Sequence, residues 1–143
     1  MIALSRQRYN LEGVTLLGGE PTAQPIAAAA VARFAQQCGL TVLLFSGYTL
    51  EQLHQSHNPA VADLLAHTDM LVDGPYDKHQ PETRRRWIGS ANQRLHFLNP
   101  ACSKDDRWTQ KNTLEIRVCG QEILINGYPA PQALRFGRQI TRS

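Results

Sequence analysis

Three short apolar runs, each closed by a glycine-containing turn, constrain this chain more than any other feature. Val14-Thr15-Leu16-Leu17 stops at Gly18-Gly19, Thr41-Val42-Leu43-Leu44-Phe45 stops at Ser46-Gly47, and Met70-Leu71-Val72 stops at Asp73-Gly74-Pro75. Runs that stay apolar instead of alternating are buried on both faces, which is the signature of parallel strands covered by helices. The intervening segments read as those helices. Pro25 opens one in which Ile26, Ala30, Phe34 and Cys38 recur every four residues as an apolar stripe, with Gly39 at the C-cap. Thr49 and Gln52 have capping-box spacing. Asn58-Pro59 reads as an N-cap followed by a first-turn proline, and Val61, Leu64 and Leu65 supply that helix's buried face.

The last quarter changes pattern. Leu114, Ile116 and Val118 alternate with Glu115 and Arg117, Gly120-Gln121 offers a two-residue turn, and 122–125 can return antiparallel. Asn126-Gly127 then turns the chain into an irregular tail through Tyr128-Pro129-Ala130-Pro131.

At 143 residues the chain suits one core, and 42% hydrophobic with 19% charged residues excludes a disordered chain. No stretch is apolar enough to span a bilayer and MIALSRQRYN lacks a secretion-signal core, so no membrane association and a cytoplasmic location are expected. The net charge of +3 is concentrated between Lys78 and Arg94, reads as a solvated face and carries no nucleic-acid signature. Cys38, Cys102 and Cys119 are an odd number and far apart, so neither a disulfide framework nor a metal or cluster motif is expected. His54, His57, His67, His79 and His96 read as surface residues, and Asp105-Asp106 as a loop with no pairing argument for acid–base work. Trp87 beside Arg84-Arg85-Arg86 reads equally as a partner contact or as the edge of a core.

In parallel α/β sheets ligands bind at the carboxyl ends of the strands. Here that rim would bring together Glu20, Ser46 and Asp73: two carboxylates and a hydroxyl among glycines that admit a ligand to the backbone. The set suits a small polar ligand carrying an amine and hydroxyls. It does not suit a dinucleotide or nucleotide held by phosphate, because GxGxxG and GxxxxGK[ST] spacings are absent. An isolated GGEP is equally readable as a tight strand-to-helix turn.

The ordered segments EGVTLLGGEPTAQP, GLTVLLFSGYTLEQL, DMLVDGPYDKHQPE and RRRWIGSANQRL, from about Glu12 to Leu98, resemble the radical S-adenosylmethionine activating enzymes. The nearest subgroup activates the anaerobic ribonucleotide reductase. The resemblance implies an α/β fold, an incomplete (β/α) partial barrel of radical S-adenosylmethionine type in residues 1–100, to which the alternation further along adds a C-terminal β-hairpin extension in 101–143. It implies that Gly18, Gly19 and Glu20 meet the amino group of S-adenosylmethionine, that Ser46 and the Gly47 backbone approach its carboxylate, and that Asp73 approaches its ribose. Gly89, Ser90, Asn92, Gln93 and Arg94 become ligand or partner contacts, Asn92 among the cofactor-binding set.

The implied activity is 5′-deoxyadenosyl radical generation, and the implied partner is a glycyl-radical enzyme such as the anaerobic ribonucleotide reductase. That family holds a [4Fe–4S] cluster on a CxxxCxxC loop upstream of GGE, and no such cysteines occur here. The expectation is therefore a chain without the first strand, cluster loop and part of the first helix, MIALSRQRYNLEG being that helix's tail, and with no catalytic or metal-ligating residue of its own. Such a chain is inactive alone, or else a non-catalytic module that binds S-adenosylmethionine or a partner, or a truncated gene product. An incomplete sheet leaves an open edge, through which a homodimer could form.

Overall fold

The computed structural model describes residues 11–110 and two further strands, Glu115–Cys119 and Glu122–Asn126. The first part is mixed α/β. Strand β1 (Gly13–Leu16) is followed by a 3-10 turn at Pro21–Ala23 and helix α1 (Pro25–Gln37). Strand β2 (Thr41–Phe45) leads to α2 (Leu50–Gln55) and α3 (Pro59–Ala66), and β3 (Met70–Asp73) leads through a long loop to β4 (Arg94–Phe97). The sheet order is β1-β2-β3-β4; the first three strands are parallel and β4 is antiparallel to β3. The fourth strand escaped the sequence reading because RLHF is short and half-exposed, with no continuous apolar run.

Local signals behave as their chemistry requires. Thr49 and Gln52 form a reciprocal capping box on α2, Asn58 accepts from the Ala60 N–H at the start of α3, and Gly39 closes α1 at φ +68. Gly13 is required for another reason: a Cβ there would lie 2.8 Å from the Thr41 carbonyl oxygen across the sheet.

Alternation divides the sheet's two faces. Val42, Leu44 and Leu71, with Val14 and Leu16, pack against Ala29, Ala32, Ala35, Leu53, Val61 and Leu64 from the helices. Thr15, Leu43, Phe45 and Met70 line the opposite side; β1 and β2 alternate in exposure and only β3 is buried throughout, so the expected burial on both faces is corrected for the first two strands.

The stripe expected on α1 is corrected by this packing. Ile26 is 78% and Phe34 44% exposed, Ala30 is exposed, and Cys38 is only half-buried, whereas Ala29, Ala32 and Ala35 are buried. At about 100° per residue the two sets lie roughly opposite each other around the helix. Small alanines let α1 approach the sheet and α3 closely, and that contact outweighs the bulkier side chains on the far face.

Residues 101–110, read from sequence as part of the extension, return to the sheet. Trp108 is buried edge-on against Phe97 and Trp87, and Arg107 bridges Glu12 and Asp105. Asp105 is thereby ion-paired with Arg107. Trp87 is a core-edge residue, with Arg86 4.3 Å over its ring.

The hairpin strands β5 (Glu115–Cys119) and β6 (Glu122–Asn126) pair antiparallel, Cys119 opposite Glu122. The expected turn at Gly120-Gln121, Leu114, the tail from Gly127 and the segment 1–10 lie outside the described residues. Among those described, no helix is long and apolar enough to cross a membrane.

Candidate functional site

The carboxyl ends of β1, β2 and β3 lie side by side, as their parallel register requires. The loop after β1 turns through Gly18 (φ +90) and Gly19 (φ +57), left-handed conformations that favour glycine. Nothing lies within 4 Å of a Cβ placed at either position, so this turn borders open space.

Glu20 joins that loop to the next. Its Oε1 accepts from the Thr22 N–H at 3.0 Å, the Thr22 hydroxyl at 2.6 Å and the Ser46 hydroxyl at 3.0 Å, while Oε2 accepts from the Gly47 N–H at 2.8 Å. The Ser46 hydroxyl accepts in turn from the Tyr48 N–H. Burial pushes the Glu20 carboxyl up, but the hydrogen bonds from Thr22, Gly47 and Ser46 outweigh it and hold its pKa below the ordinary value. The structure thus brings Gly18, Gly19, Glu20, Ser46 and Gly47 into one continuous wall. The Tyr48 carbonyl accepts from the Gly74 N–H, tying the third loop to the second.

Asp73 is engaged elsewhere. Its side chain is fully buried, receives Arg94 Nε at 3.1 Å and Nη2 at 2.6 Å and the Leu50 N–H at 2.6 Å, and lies 3.0 Å from His96 Nε2. The antiparallel register sets Asp73 directly opposite Arg94, which explains the pair. Burial raises the Asp73 pKa, and Arg94, Leu50 and His96 together bring it below the ordinary value. Arg94 reaches on to Glu51, whose pKa it lowers to about 2, so one guanidinium links α2, β3 and β4. His96 is therefore a half-buried partner of Asp73, and His67, bonded to the Asp63 carbonyl, is also half-buried; the reading of all five histidines as surface residues is corrected for these two.

The 89–94 segment works mainly on its own loop. Gln93 donates to the Gly74 carbonyl and accepts from the Gly89 and Ser90 N–H groups, and Asn92 donates to the Pro75 carbonyl. Ser90 accepts from the Asp77 N–H, and Arg85 donates to the Gln93 and Ala91 carbonyls. Glu82, missed by the sequence reading, is 6% exposed and caps the Thr83, Arg84 and Arg85 N–H groups while pairing with Arg85. Burial opposes its ionisation, and these donors lower its pKa to about 2 regardless. The available signal was a carboxylate before a run of polar residues, which has no specificity.

Two hollows adjoin the rim. One of about 260 Å³ lies between the Leu17–Pro21 turn and α1, lined by Gly18, Gly19, Glu20, Ala27 and Val31. A larger cleft of about 510 Å³ runs along the open sheet face, lined by Leu17, Leu43, Phe45, Met70, Trp87 and Trp108. Its floor is mainly apolar, and the Arg107 ion pairs with Glu12 and Asp105 border it.

An iron–sulfur cluster does not fit the described side chains. No three His, Cys, Asp or Glu groups converge among them. Cys38 packs against the hydrophobic core, and burial with nearby Asp69 and Asp105 pushes the Cys102 thiol up, away from the thiolate a cluster requires.

The family described as 4Fe-4S single cluster domain matches residues 1–96, a span whose only cysteine is Cys38. The anaerobic ribonucleoside-triphosphate reductase-activating protein of Vibrio cholerae is 34% identical over 98 residues, covering 65% of this chain and 60% of that protein. Those of Haemophilus influenzae and Escherichia coli K12 are each 30% identical, over 98 and 99 residues, covering 65% and 66% of this chain and 60% and 62% of theirs. The chain thus spans about three fifths of the length of these relatives. No solved structure matches it. With its family match covering well over half of its length, the chain belongs to the 4Fe-4S single cluster domain family, and its similarity there is to activating proteins of the anaerobic ribonucleoside-triphosphate reductase.

Proposed function

We propose that this chain is an activase-like protein of radical S-adenosylmethionine type that binds S-adenosylmethionine at the rim formed by Gly18, Gly19, Glu20, Ser46 and Gly47. The observation that carries the reading is the wall itself. Two loops from neighbouring parallel strands are joined by Glu20 beside an open glycine turn, in a chain whose relatives are named as reductase activators. Backbone acceptors at the glycine turn suit a charged amine, and the apolar cleft below Leu17 and Phe45 suits the rest of a nucleoside. Asp73, saturated by Arg94 and the Leu50 N–H, holds the end of β3 and touches the ribose only if that network opens. Asn92 supports the same loop through Pro75.

When bound, a [4Fe–4S] cluster would supply the electron that cleaves S-adenosylmethionine. The described residues do not hold one, and the chain's own contribution in this reading is binding and orientation. It does not generate the radical by itself, and a glycyl-radical enzyme is the partner this reading implies. The same mismatch favours a second reading, a non-catalytic module that retains the S-adenosylmethionine or partner surface.

Calorimetry with S-adenosylmethionine tests the site. Saturable binding, abolished by Gly19→Val, is expected, since a β-branched residue resists φ +57. No binding by the unmodified chain would overturn the proposal. Anaerobic treatment with iron and sulfide tests the second part: a stoichiometric cluster spectrum with S-adenosylmethionine cleavage by this chain would refute it.

A further inference from the structure

Glu20 is the residue that the ligand's ammonium would be expected to seek, and its geometry argues against that. A carboxylate offers roughly four lone-pair sites, two on each oxygen. Three donors from this chain already converge on Oε1, and Gly47 occupies one site on Oε2. These donors come from both rim loops: Thr22 from the loop after β1, Ser46 and Gly47 from the loop after β2. An ammonium approaching Oε1 would have to displace one of them, and one approaching the remaining site on Oε2 would crowd the Gly47 N–H that donates to the same oxygen at 2.8 Å.

We infer that Glu20 is a positioning residue, a latch that locks the Gly18-Gly19 turn against the Ser46-Gly47 turn, and that it does not itself bind the amine. The inference rests on the reading that S-adenosylmethionine binds at this rim. Thr22 then acquires a role that no motif assigns to it: its hydroxyl, 2.6 Å from Oε1, is the shortest strut of the latch. Ser46 acts in the same way, its hydroxyl being committed to Glu20 as donor and to the Tyr48 N–H as acceptor. The Gly47 N–H is likewise spent on Glu20 and is withheld from the ligand carboxylate.

The latch requires an ionised Glu20. Its pKa is lowered by Thr22, Gly47 and Ser46 against the opposing effect of burial, so the latch is complete at neutral pH and opens as pH falls through that lowered value.

Calorimetry of the full chain with two ligands separates latch from contact: S-adenosylmethionine, and its analogue with the amino group replaced by a keto oxygen. If Glu20 is a latch, Glu20→Ala weakens both ligands by the same factor, at least about tenfold. Thr22→Val weakens both by a smaller factor although Thr22 touches neither. Glu20→Gln, which keeps an acceptor for Thr22 and Ser46 but sets an NH2 against the Gly47 N–H, falls between wild type and alanine. Loss confined to S-adenosylmethionine, with the keto analogue unaffected by Glu20→Ala, would show direct contact with the amine and overturn the inference.

A second readout needs no ligand and separates failure of the latch from failure of the binding site. In amide NMR spectra of the free protein, Gly47 and Thr22 should titrate together with Glu20 and shift strongly in Glu20→Ala. If the Gly47 amide is indifferent to both pH and substitution, the latch does not exist, whatever the protein binds.

Discussion

Replacing Asp73 by alanine removes the most heavily used carboxylate of the sheet. Asp73 is fully buried and accepts three hydrogen bonds, two from Arg94 and one from the Leu50 N–H at the start of α2. Hydrogen bonds to a charged group are worth roughly 1.5–3 kcal/mol each, so a simple sum would exceed 4 kcal/mol. Arg94 is about half exposed and keeps its pair with Glu51, so its charge is rehydrated rather than stranded, which reduces the loss. The Leu50 N–H and a small void remain uncompensated. The expected cost is about 3 kcal/mol, a fall in Tm of about 10 °C for a chain of this size.

The pH dependence carries the sign. Asp73 has a folded pKa below its ordinary 3.8, so its stabilisation is fully present above that value and is lost as pH falls through the folded pKa. Urea unfolding of wild type and Asp73→Ala should therefore give curves separated by a constant amount near neutral pH that converge below about pH 4. A difference under about 1 kcal/mol at pH 7, or one that persists undiminished into strong acid, would refute the account of Asp73 as an ionised, buried hub.

Three further outcomes are expected. Ile26→Ser, on the outward face of α1, should change stability by no more than about 0.5 kcal/mol, whereas Ala32→Leu, on the inward face, should cost about 1–3 kcal/mol in urea unfolding. Gly13→Ala should destabilise by about 1–3 kcal/mol, and Thr41→Ala should not rescue it, because the Thr41 backbone oxygen still meets the new Cβ. The outer edge of β1 has no partner strand among the described residues, and the exposed side chains of Leu17, Ile26, Val31 and Phe34 belong to β1's following turn and to α1. The homodimer expected through that edge predicts a concentration-dependent dimer in light scattering; a monodisperse monomer would overturn it.

The alternation of strands and helices, the caps at Thr49 and Asn58 and the glycine turn at the rim were all legible in the sequence, although of the three strands read as buried only β3 is buried throughout. So were the lack of a CxxxCxxC motif and the resemblance to radical S-adenosylmethionine activating enzymes. These signals depend on residues a few positions apart, where backbone preference and capping chemistry act directly. Tertiary structure decided the rest: that α1 turns its alanines inward, that RLHF becomes an antiparallel strand, that Asp73 faces Arg94, and that Glu20 spends its oxygens on Thr22, Ser46 and Gly47. The physical reason is that a carboxylate's role is set by which donors surround it. Apart from Thr22, two residues from Glu20, those donors arrive from 21 and 23 residues away for Asp73 and from 26 and 27 for Glu20, distances over which no local pattern in the chain records the pairing.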